Sequence, residues 1–572
     1  MSFPSISSAK ALLLILAASA LTYLPFVNSP LFWDDEQFIY SNQYVRQFAL
    51  QEIFTTSTTD GAGEPSNYYR PLTTLSFAID HQLWGLNPVG FHLTNLMLHA
   101  GAGMALFLVL KLLKINQLAA LAISILFIMH PIQTETVSYA NSRGDSIFTL
   151  FGLLGMGSLL MLMRMELSQK KEINLQIKDF SAQINKGIFV IGAIGFYIAA
   201  ILGKEIGLAV LGLYWLGVIY WWLSQQFNQH ALKLTNWLKR YSNTLITLLT
   251  TTAVAAGYLA LRSGPLKFQE QLNPYPPGHP YGDSVVVRLS TFAKVIFIYL
   301  RLLVAPFRLH MERTTELVLS PFSGWVVGAL LLGLAAGVVG WAEYRRHRRL
   351  LVWMGSAWFL AMLIPVSGIV PINDILYEHW LYLPSVGFWM VLYGLIRLII
   401  DDQSKISQVA KRILNKFGHM AYGVILLGCL TLSWRQNYIW ADPIRFYNYT
   451  LQFNQTARMQ NNLGMAYADK GQLNKALEHY QAALEINSTY AQIHNNLANT
   501  YANLGQLELA KESYQEALEL NPVLMQSNFG LISVLIELEE FDQALEFVSH
   551  IEELGLPAEL ATQLRFEIDS AR

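Results

Sequence analysis

The sequence is poor in charged residues and has a single cysteine, Cys429. Charged residues make up 14 % of its 572 positions, whereas soluble domains contain about 25 %. The shortage of charge excludes an ordinary water-soluble enzyme, and the lone cysteine excludes a disulfide framework and any multi-cysteine metal site. The formal net charge of −1 indicates neither nucleic-acid binding nor a basic surface anchor.

Hydrophobic side chains, at 53 %, and aromatic rings, at 12 %, are abundant instead, and such rings gather at membrane–water interfaces. The character of the chain changes near residue 440. The stretch 454–572 is polar and contains 6 basic and 17 acidic residues, whereas the part before 440 contains long apolar runs. We therefore predict an all-α chain of two domains, a polytopic membrane domain over 1–440 and a repeat domain over 441–572.

The apolar runs are long enough to predict membrane spans, because a bilayer core about 30 Å thick needs about 20 apolar residues in a helix. The first run could be a signal peptide, but no small-residue cleavage site follows it. The segment 287–306 carries Arg288, Lys294 and Arg301, which favours an amphipathic interfacial or re-entrant helix over a span. The eleven predicted spans are 9–27, 91–110, 117–137, 146–163, 187–203, 206–223, 242–261, 323–342, 350–368, 381–400 and 419–436.

Basic residues between the runs predict the orientation, because cytoplasmic loops are rich in Lys and Arg. With eleven spans and the N-terminus inside, the C-terminal domain lies on the non-cytoplasmic side, whereas a twelfth span would place it inside. The residues assigned to the cytoplasmic face are Lys111, Lys114, Lys170, Lys171, Lys239, Arg240, Arg345, Arg346, Arg348, Arg349, Lys405, Lys411 and Arg412.

The C-terminal part repeats with a period of 34 residues. NNLGMAYADKGQLNKALEHYQAALEIN at 461–487 aligns with NNLANTYANLGQLELAKESYQEALELN at 495–521, and a weaker third copy follows. This is the tetratricopeptide (TPR) pattern, in which each repeat is a helix pair and the pairs stack into a solenoid. Such solenoids bind extended peptide or protein in a concave groove, or serve as a dimerisation or scaffolding arm.

Three successive carboxylates, Asp34, Asp35 and Glu36, follow the first apolar run. Charges beside aromatic rings at a membrane surface are costly unless they are used or paired. One carboxylate could take the proton from an attacking hydroxyl as a general base. Alternatively, the group could hold a divalent cation, Mg²⁺ or Mn²⁺, or form a solvated acidic turn without function.

Further polar residues lie on the same side of the membrane as these carboxylates when eleven spans are counted. Arg70 and Arg143 are suited to binding a phosphate, and Lys204 and Glu205 form a charged pair inside the apolar stretch 187–223. We predict that these groups meet in one pocket that opens away from the cytosol. The other members of this set are His92, Asn95, His99, His130, Glu135, Asp145 and Glu378.

The sequence contains no P-loop, no dinucleotide glycine fingerprint and no GxSxG elbow. Nucleotide-activated donors are mostly cytoplasmic, so a pocket on the outer side requires an activated group carried by a lipid. A polyprenyl-phosphate sugar meets this requirement, because its tail lies in the bilayer, its phosphate meets Arg and Lys, and its sugar meets the carboxylates.

Six motifs in the same order resemble the transmembrane-and-TPR (TMTC-type) protein O-mannosyltransferases, a family of the GT-C class of polytopic glycosyltransferases. The chain is similar to a shorter, bacterial relative of the animal members, because it has about three repeats. The motifs are WDDE at 33–36, YYRPLTTLSF at 68–77, NPVGFHLTNLMLH at 87–99, HPIQTETVSYANSRGD at 130–145, GKEIG at 203–207 and EHWLYLPSVGF at 378–388.

The resemblance implies a multi-pass protein of the bacterial plasma membrane, or of the ER membrane in a eukaryote. It also implies inverting transfer of a sugar, here mannose, from a polyprenyl-phosphate donor to a hydroxyl such as Ser or Thr of a protein held by the TPR groove. Asp35 or Asp34 would be the base. The donor phosphate and sugar would be held by Arg70, His99, His130, Arg143, Asp145, Lys204, Glu205 and Glu378.

Two rival functions remain open at this point. One is a different transferase of the same architecture, with another lipid-linked sugar or with a glycan or lipid as acceptor. The other is a membrane-anchored TPR scaffold without enzymatic activity. A transporter is less favoured, because transporters show related halves with interrupted helices.

Overall fold

The computed structural model describes residues 7–63, 66–168, 185–226, 234–264, 266, 275–372, 374–401, 408–555 and 558–572. The predicted cytoplasmic residues Lys170, Lys171 and Lys405 lie outside this part of the chain. The described residues form helices and turns and contain no strand, as predicted. The chain divides into two compact units, Met1–Ala441 and Asp442–Arg572.

The first unit is a bundle of apolar helices joined by short helical turns. The helix Arg143–Ser168 packs along both Pro88–Leu112 and Lys186–Gly203. Its other helices of ten residues or more, among the described residues, are Ser8–Tyr23, Pro71–Trp84, Gln117–Met129, Val210–Gln226, Ser242–Ser263, Val285–Val304, Gly324–His347, Leu351–Leu363, Pro384–Asp401 and Gln408–Trp440.

Each of the eleven predicted spans falls on an apolar helical segment. Within the described part of the chain, eight helices are long and apolar enough to cross a membrane. The pair Gln117–Met129 and Pro131–Ser138 would be a ninth span, bent by 53°, because Pro131 cannot continue the helix. Two predicted spans coincide with shorter apolar helical segments, Leu351–Val366 and Pro384–Ile400.

The segment predicted to be amphipathic forms the helix Val285–Val304, which is not among the candidate spans. Its Arg288 is buried. The guanidinium donates to the carbonyl oxygens of Tyr281 at 3.0 Å, Gly282 at 2.8 Å and Gly368 at 2.5 Å. Arg288 therefore ties this helix to the short helix Pro280–Asp283 and to the loop at Gly368.

One helix of the first unit shows the composition expected of a lipid-facing surface. Gly324–His347 is apolar but barely buried, and Leu330, Leu331 and Leu334 are each at least 60 % exposed. Large apolar surfaces of this kind are rare on soluble monomers and mark contact with a membrane or a partner. With the other apolar helices, this makes the chain an integral membrane protein.

The second unit is a stack of helix pairs. The helices that match the repeats are Ala457–Asp469 with Leu473–Ile486, Ala491–Asn503 with Leu507–Leu520, and Met525–Glu537 with Phe541–Glu553. The short helix Pro443–Thr450 precedes the stack, and Ala558–Ala571 follows it. The TPR architecture predicted for the first two copies is confirmed, and the segment of the weak third copy also forms a helix pair.

The turns inside the pairs require left-handed backbone. Gly471 and Gly505 adopt φ angles of 70° and 73° there, which glycine does without steric cost. At the same position of the third copy, Glu539 adopts a φ angle of 62°. A side chain in this conformation costs about 1–2 kcal/mol, so the third turn is strained where the first two are not.

Replacing Glu539 with glycine is therefore expected to stabilise the third helix pair by about 1 kcal/mol. Hydrogen exchange of the full chain would check this, because amides of Phe541–Glu553 should exchange about fivefold more slowly. Gly505→Ala is the matched control and should have the opposite effect on the second pair. If hydrogen exchange in Glu539→Gly is the same as in the parent chain, the backbone of Glu539 is not strained.

Candidate functional site

The acidic loop, residues 32–36, is held in a fixed conformation at the end of the first helix. Trp33 is buried and has a φ angle of 65°, a conformation that non-glycine residues adopt rarely. The carboxylate of Asp35 accepts from its own loop, through the Phe32 amide at 3.2 Å, and from a distant segment, through the Asn141 amide at 2.9 Å. Asp35 therefore fastens the loop to residues 139–142.

Burial distinguishes the three carboxylates of this loop. Asp35 is only 2 % exposed, and burial raises its pKa to about 8, with repulsion from Asp34 adding to the shift. Asp34 is half-buried and Glu36 is exposed. Asp34 and Asp35 lie near the hydroxyl of Tyr139, whose pKa burial and these carboxylates raise well above its usual value. Asp34 is thus the carboxylate that combines a confined position with access from outside.

The acidic loop is also the predicted site of a divalent cation. Both oxygens of Asp35 already accept from backbone amides, and Glu36 is exposed at the start of the next helical turn. Across the residues that the structure describes, no group of three or more His, Cys, Asp or Glu side chains is placed to hold a metal ion. The predicted role of Asp34, Asp35 and Glu36 as cation ligands therefore stays untested.

Arg143 lies behind the acidic loop and is completely buried. Its guanidinium pairs with Asp80 at 2.6 Å and donates to Asn95 Oδ1 at 2.6 Å and to the Phe91 carbonyl at 2.9 Å. The guanidinium also lies 4.6 Å from the centre of the Phe77 ring. These contacts are typical of an arginine that joins two helices, and its predicted phosphate-binding role stays untested.

Four of the predicted charged residues lie together with one arginine that was not predicted. We call this group the ion-pair cluster; it consists of Arg70, Asp145, Lys204, Glu205 and Arg262. Lys204 Nζ is 2.7 Å from Asp145 Oδ2, and Arg70 Nε is 2.9 Å from Glu205 Oε2. Arg262 Nη1 lies 3.6 Å from the other oxygen of Glu205. Two guanidinium groups thus share one carboxylate, which leaves a net positive edge.

The exposures of these side chains show which part of the cluster a ligand can reach. Lys204 and Asp145 are 9 % and 2 % exposed, whereas Arg70 is 13 %, Glu205 18 % and Arg262 25 % exposed. Arg70 also lies 4.4 Å from the centre of the Tyr68 ring. The arginine pair therefore forms the open side of the cluster, and the lysine forms its closed side.

A second group of charges continues from the ion-pair cluster. Glu135 Oε1 is 2.6 Å from His379 Nδ1, and the neighbouring Glu378 is 2.5 Å from Arg313. Glu378 also accepts from the amide of His310 at 3.1 Å. Burial raises the pKa of Glu378 to about 7, although Arg313 opposes the shift. Glu378 therefore anchors the loop that carries His310 and Arg313.

The two histidines predicted to shape a sugar pocket lie in the packed interior. His99 is fully buried, with its ring nitrogens 2.6 Å from the Tyr382 hydroxyl and 3.1 Å from the Ile128 carbonyl. His130 contacts the Leu303 carbonyl at 3.2 Å, and its ring lies 5.3 Å from that of Trp389. Neither ring offers a surface to a ligand in this conformation, so packing accounts for both positions.

These contacts bring distant segments together at one end of the bundle. Asn141, which binds Asp35, and Asp145, which binds Lys204, are separated by about one helical turn. Arg70 and Glu205 are 135 positions apart in sequence. His92 Nε2 lies 3.0 Å from the Ser29 carbonyl, which adds the start of Pro88–Leu112 to the same end. The acidic loop and the ion-pair cluster are thus neighbours.

Sequence reasoning missed several participants. Asp80, Arg262, His310, Arg313 and His379 were not among the predicted site residues, yet each contacts one of them. Arg262 gave a signal that could have been used, because it is a charge directly after an apolar run. Asp80 gave none, because one carboxylate in an ordinary helix has no distinctive spacing.

Family models for tetratricopeptide repeats match residues 464–505 and 491–522. Over most of its length the chain is similar to protein O-mannosyl-transferases. The human protein TMTC4 is 26 % identical over 72 % of this chain and 57 % of its own length. The Caenorhabditis elegans protein F38B6.6 is 24 % identical over 84 % and 63 %, and Drosophila melanogaster Tmtc3 is 24 % identical over 73 % and 48 %.

The chain is similar to the TMTC-type protein O-mannosyl-transferases. The resemblance indicated by its sequence motifs is thereby confirmed. The chain spans only about half to two thirds of the length of these relatives.

Two solved structures show a more distant likeness to this chain. The oligosaccharyltransferase of Archaeoglobus fulgidus in the apo form has a TM-score of 0.41 at 11 % identity, over 77 % of this chain and 56 % of that one. ArnT from Cupriavidus metallidurans bound to undecaprenyl phosphate has a TM-score of 0.35 at 14 % identity, over 85 % of this chain and 81 % of that one.

Proposed function

We propose that this chain is a membrane glycosyltransferase that moves a sugar from a polyprenyl-phosphate donor to a hydroxyl acceptor. The observation that carries the proposal is the meeting of the acidic loop with the ion-pair cluster at one end of a bundle of membrane helices. A hydroxyl acceptor needs a base, and a lipid phosphate needs cations beside the bilayer. Both are available within one turn of the Asn141–Asp145 segment.

Asp34 is the base in this mechanism. The acceptor oxygen attacks the anomeric carbon of the sugar and its proton passes to Asp34, while the bond between that carbon and the phosphate oxygen breaks. The phosphate leaves with the bonding electron pair, and the transition state resembles an oxocarbenium ion. One direct displacement inverts the anomeric configuration. Asp34 is preferred to Asp35 because it is accessible and Asp35 already accepts two amide hydrogen bonds.

Arg70 and Arg262 bind the departing phosphate. Negative charge develops on that group in the transition state, and preorganised donors aimed at such charge provide a large part of catalysis. Arginine is suited to the task because its planar guanidinium binds phosphate in a bidentate manner. Glu205 holds both guanidinium groups in place, and Lys204 adds positive charge from the closed side of the cluster.

Asp35, Asp80 and Arg143 are positioning residues. Asp35 joins the acidic loop to residue 141, and Arg143 fixes the start of the helix that carries Asp145 by pairing with Asp80. The distance between base and cations therefore depends on buried contacts rather than on mobile surface groups. No step in this mechanism requires a divalent cation, and Mg²⁺ or Mn²⁺ dependence is left to experiment.

Mannose and a protein hydroxyl, Ser or Thr, are the proposed substrates, because the similar proteins are named protein O-mannosyl-transferases. The TPR unit would hold the acceptor segment and raise its local concentration at the site. The proposed orientation places the TPR unit and the acidic loop on the non-cytoplasmic side of a bacterial plasma membrane, or of the ER membrane. Protease accessibility of the repeats on intact cells tests that side directly.

The function itself is tested with purified full-length chain in lipid, incubated with labelled polyprenyl-phosphate sugars and Ser- or Thr-containing peptides. The expected product is a mannosylated peptide with inverted anomeric configuration. Transfer to a glycan or lipid instead of peptide would favour the other transferase. Absence of transfer from every polyprenyl-phosphate sugar, by protein that is correctly inserted, would favour the scaffold and reject the proposal.

A further inference from the structure

A cavity of about 280 Å³ lies at the end of the bundle opposite to the ion-pair cluster. Three helices show this. Pro88–Leu112 begins beside Arg143 and ends at the cavity, and with 25 residues it is about 37 Å long. Val210–Gln226 follows Glu205 and ends there, and Pro384–Asp401 follows Glu378 and ends there. The cavity and the cluster are therefore separated by about the thickness of a bilayer core.

The cavity is lined by the ends of those helices and by the turn after Gly324–His347. Its size is several times the roughly 30 Å³ that a water molecule takes up in the liquid, so a head group with its hydration can enter. The lining residues that supply polar side chains are Lys114, Asn116, Tyr220, Trp221, Ser224, Arg348, Arg349, Tyr393 and Arg397.

The charge of this basic cavity is of one sign. Lys114, Arg348, Arg349 and Arg397 line it, and none of its described lining residues is acidic. The buried carboxylate of Glu343 is 1 % exposed, accepts from the Val352 amide at 2.9 Å and interacts electrostatically with Arg349, so it offsets part of this charge. Basic pockets between membrane helices bind anionic head groups.

Two of these cations have left-handed backbone. Lys114 and Arg348 have φ angles of 64° and 53°, although each follows a helix end where glycine would adopt the same conformation without steric cost. A cation at a helix C-terminus gains from the helix dipole. Both residues also line the basic cavity, so two residues with unfavourable backbone conformations lie at the same site.

Neighbouring groups hold the cations and offer further donors. Arg348 Nη1 donates to the Tyr344 hydroxyl at 2.6 Å, and Lys114 Nζ lies 5.4 Å from the centre of the Trp221 ring. Asn116 Nδ2 donates to the Tyr393 hydroxyl at 2.5 Å. Tyrosine hydroxyl, asparagine amide and guanidinium are all able to donate to phosphate oxygens.

The surface beside the cavity is apolar. Leu392 and Ile396, on the same helix as Tyr393 and Arg397, are 39 % and 44 % exposed. Acyl chains can pack on such side chains while the head group enters the cavity. A soluble phosphate would gain nothing from them, which favours a lipid as the source of the phosphate.

We propose that the basic cavity binds the phosphate group of an anionic lipid, on the face of the membrane opposite to the ion-pair cluster. The positive-inside rule places this face at the cytoplasm. The site is independent of the proposed transferase reaction, because none of its residues belongs to the acidic loop or to the ion-pair cluster.

The test is titration of the detergent-solubilised full chain with phosphatidylglycerol, followed by native mass spectrometry. Saturable binding is expected for the parent chain, and binding about 30-fold weaker for the double variant Lys114→Gly with Arg348→Gly, since each basic residue near the surface contributes about one kilocalorie per mole. Glycine suits both backbone positions, so this variant should remain folded. Arg349→Gln with Arg397→Gln, which leaves the two backbone positions unchanged, should weaken binding similarly.

The matched control is Arg345→Gln with Arg346→Gln, which removes two exposed charges from the same face outside the cavity. It should bind phosphatidylglycerol like the parent chain. Equal weakening in control and cavity variants would overturn the site in favour of general surface attraction. Phosphatidylcholine should not bind saturably. Saturable binding of inorganic phosphate with none of phosphatidylglycerol would overturn the lipid as the source of the phosphate.

Discussion

Replacing Asp34 with asparagine is expected to lower sugar transfer by about 10²- to 10⁴-fold, the usual effect of removing a general base. The amide has nearly the shape of the carboxylate but cannot accept the proton of the acceptor hydroxyl. Because Asp34 is half-buried and the amide keeps the size of the carboxylate, the variant should insert and fold like the parent chain. The measurement is initial rate of peptide glycosylation at saturating donor, with melting midpoint as the folding check.

Two neighbours serve as comparisons for this result. Glu36→Gln changes an exposed carboxylate of the same loop and should affect transfer by no more than a few fold. Asp35→Asn should lower the melting midpoint, because an amide nitrogen cannot accept a hydrogen bond from the Phe32 or Asn141 amide. Full activity in Asp34→Asn, together with a strong loss of activity in Glu36→Gln, would show that Asp34 is not the base.

Replacing Arg143 with methionine is expected to destabilise the membrane unit by about 3–5 kcal/mol, the cost of leaving one partner of a buried pair alone. Asp80 is 3 % exposed, and it would keep only the hydrogen bond from the Thr94 hydroxyl at 2.7 Å. Such a loss is large against the 5–15 kcal/mol of a typical domain. A strong fall in the melting midpoint and in the yield of folded protein would be observed.

The double variant Asp80→Leu with Arg143→Met separates this effect from a simple packing change. Replacing a buried ion pair by apolar side chains is often close to neutral, so most of the lost stability should return. Lys470→Met is the matched control, because Lys470 is 49 % exposed in its 2.9 Å pair with Asp442 and should cost less than about 1 kcal/mol. Equal stability of Arg143→Met and Lys470→Met would show that the buried pair is not needed.

The repeat helices and the apolar helices could be predicted from the sequence. A 34-residue repeat predicts helix pairs because most side chains of a repeat pack against other residues of the same pair, which are close in sequence. Gly471 and Gly505 mark the turns within the pairs. Apolar length likewise predicts spans. Two predicted spans form shorter helical segments. Leu351–Val366 and Pro384–Ile400 are as apolar as membrane spans but shorter than the other candidate helices, because Pro365 and Pro384 limit these helices at one end.

The candidate site was predictable as a set of residues but not as a set of pairs. Arg70, Lys204 and Glu205 are notable in sequence because charge is rare in apolar surroundings. Their partners are not adjacent. Glu205 binds Arg70 and Arg262, and not Lys204 beside it, because neighbouring residues on a chain seldom face one another.

The sequence by itself determined the apolar helices, the repeat and the identity of the rare charged residues, because each of these depends on composition or spacing along the chain. Only the tertiary structure decided that Asp35 is buried while Asp34 is accessible, and that Arg143 is committed to Asp80. Burial and ion pairing depend on which distant segments approach one another. A side-chain contact between residues 106 positions apart, such as Asp35 and Asn141, leaves no local sequence pattern that predicts it.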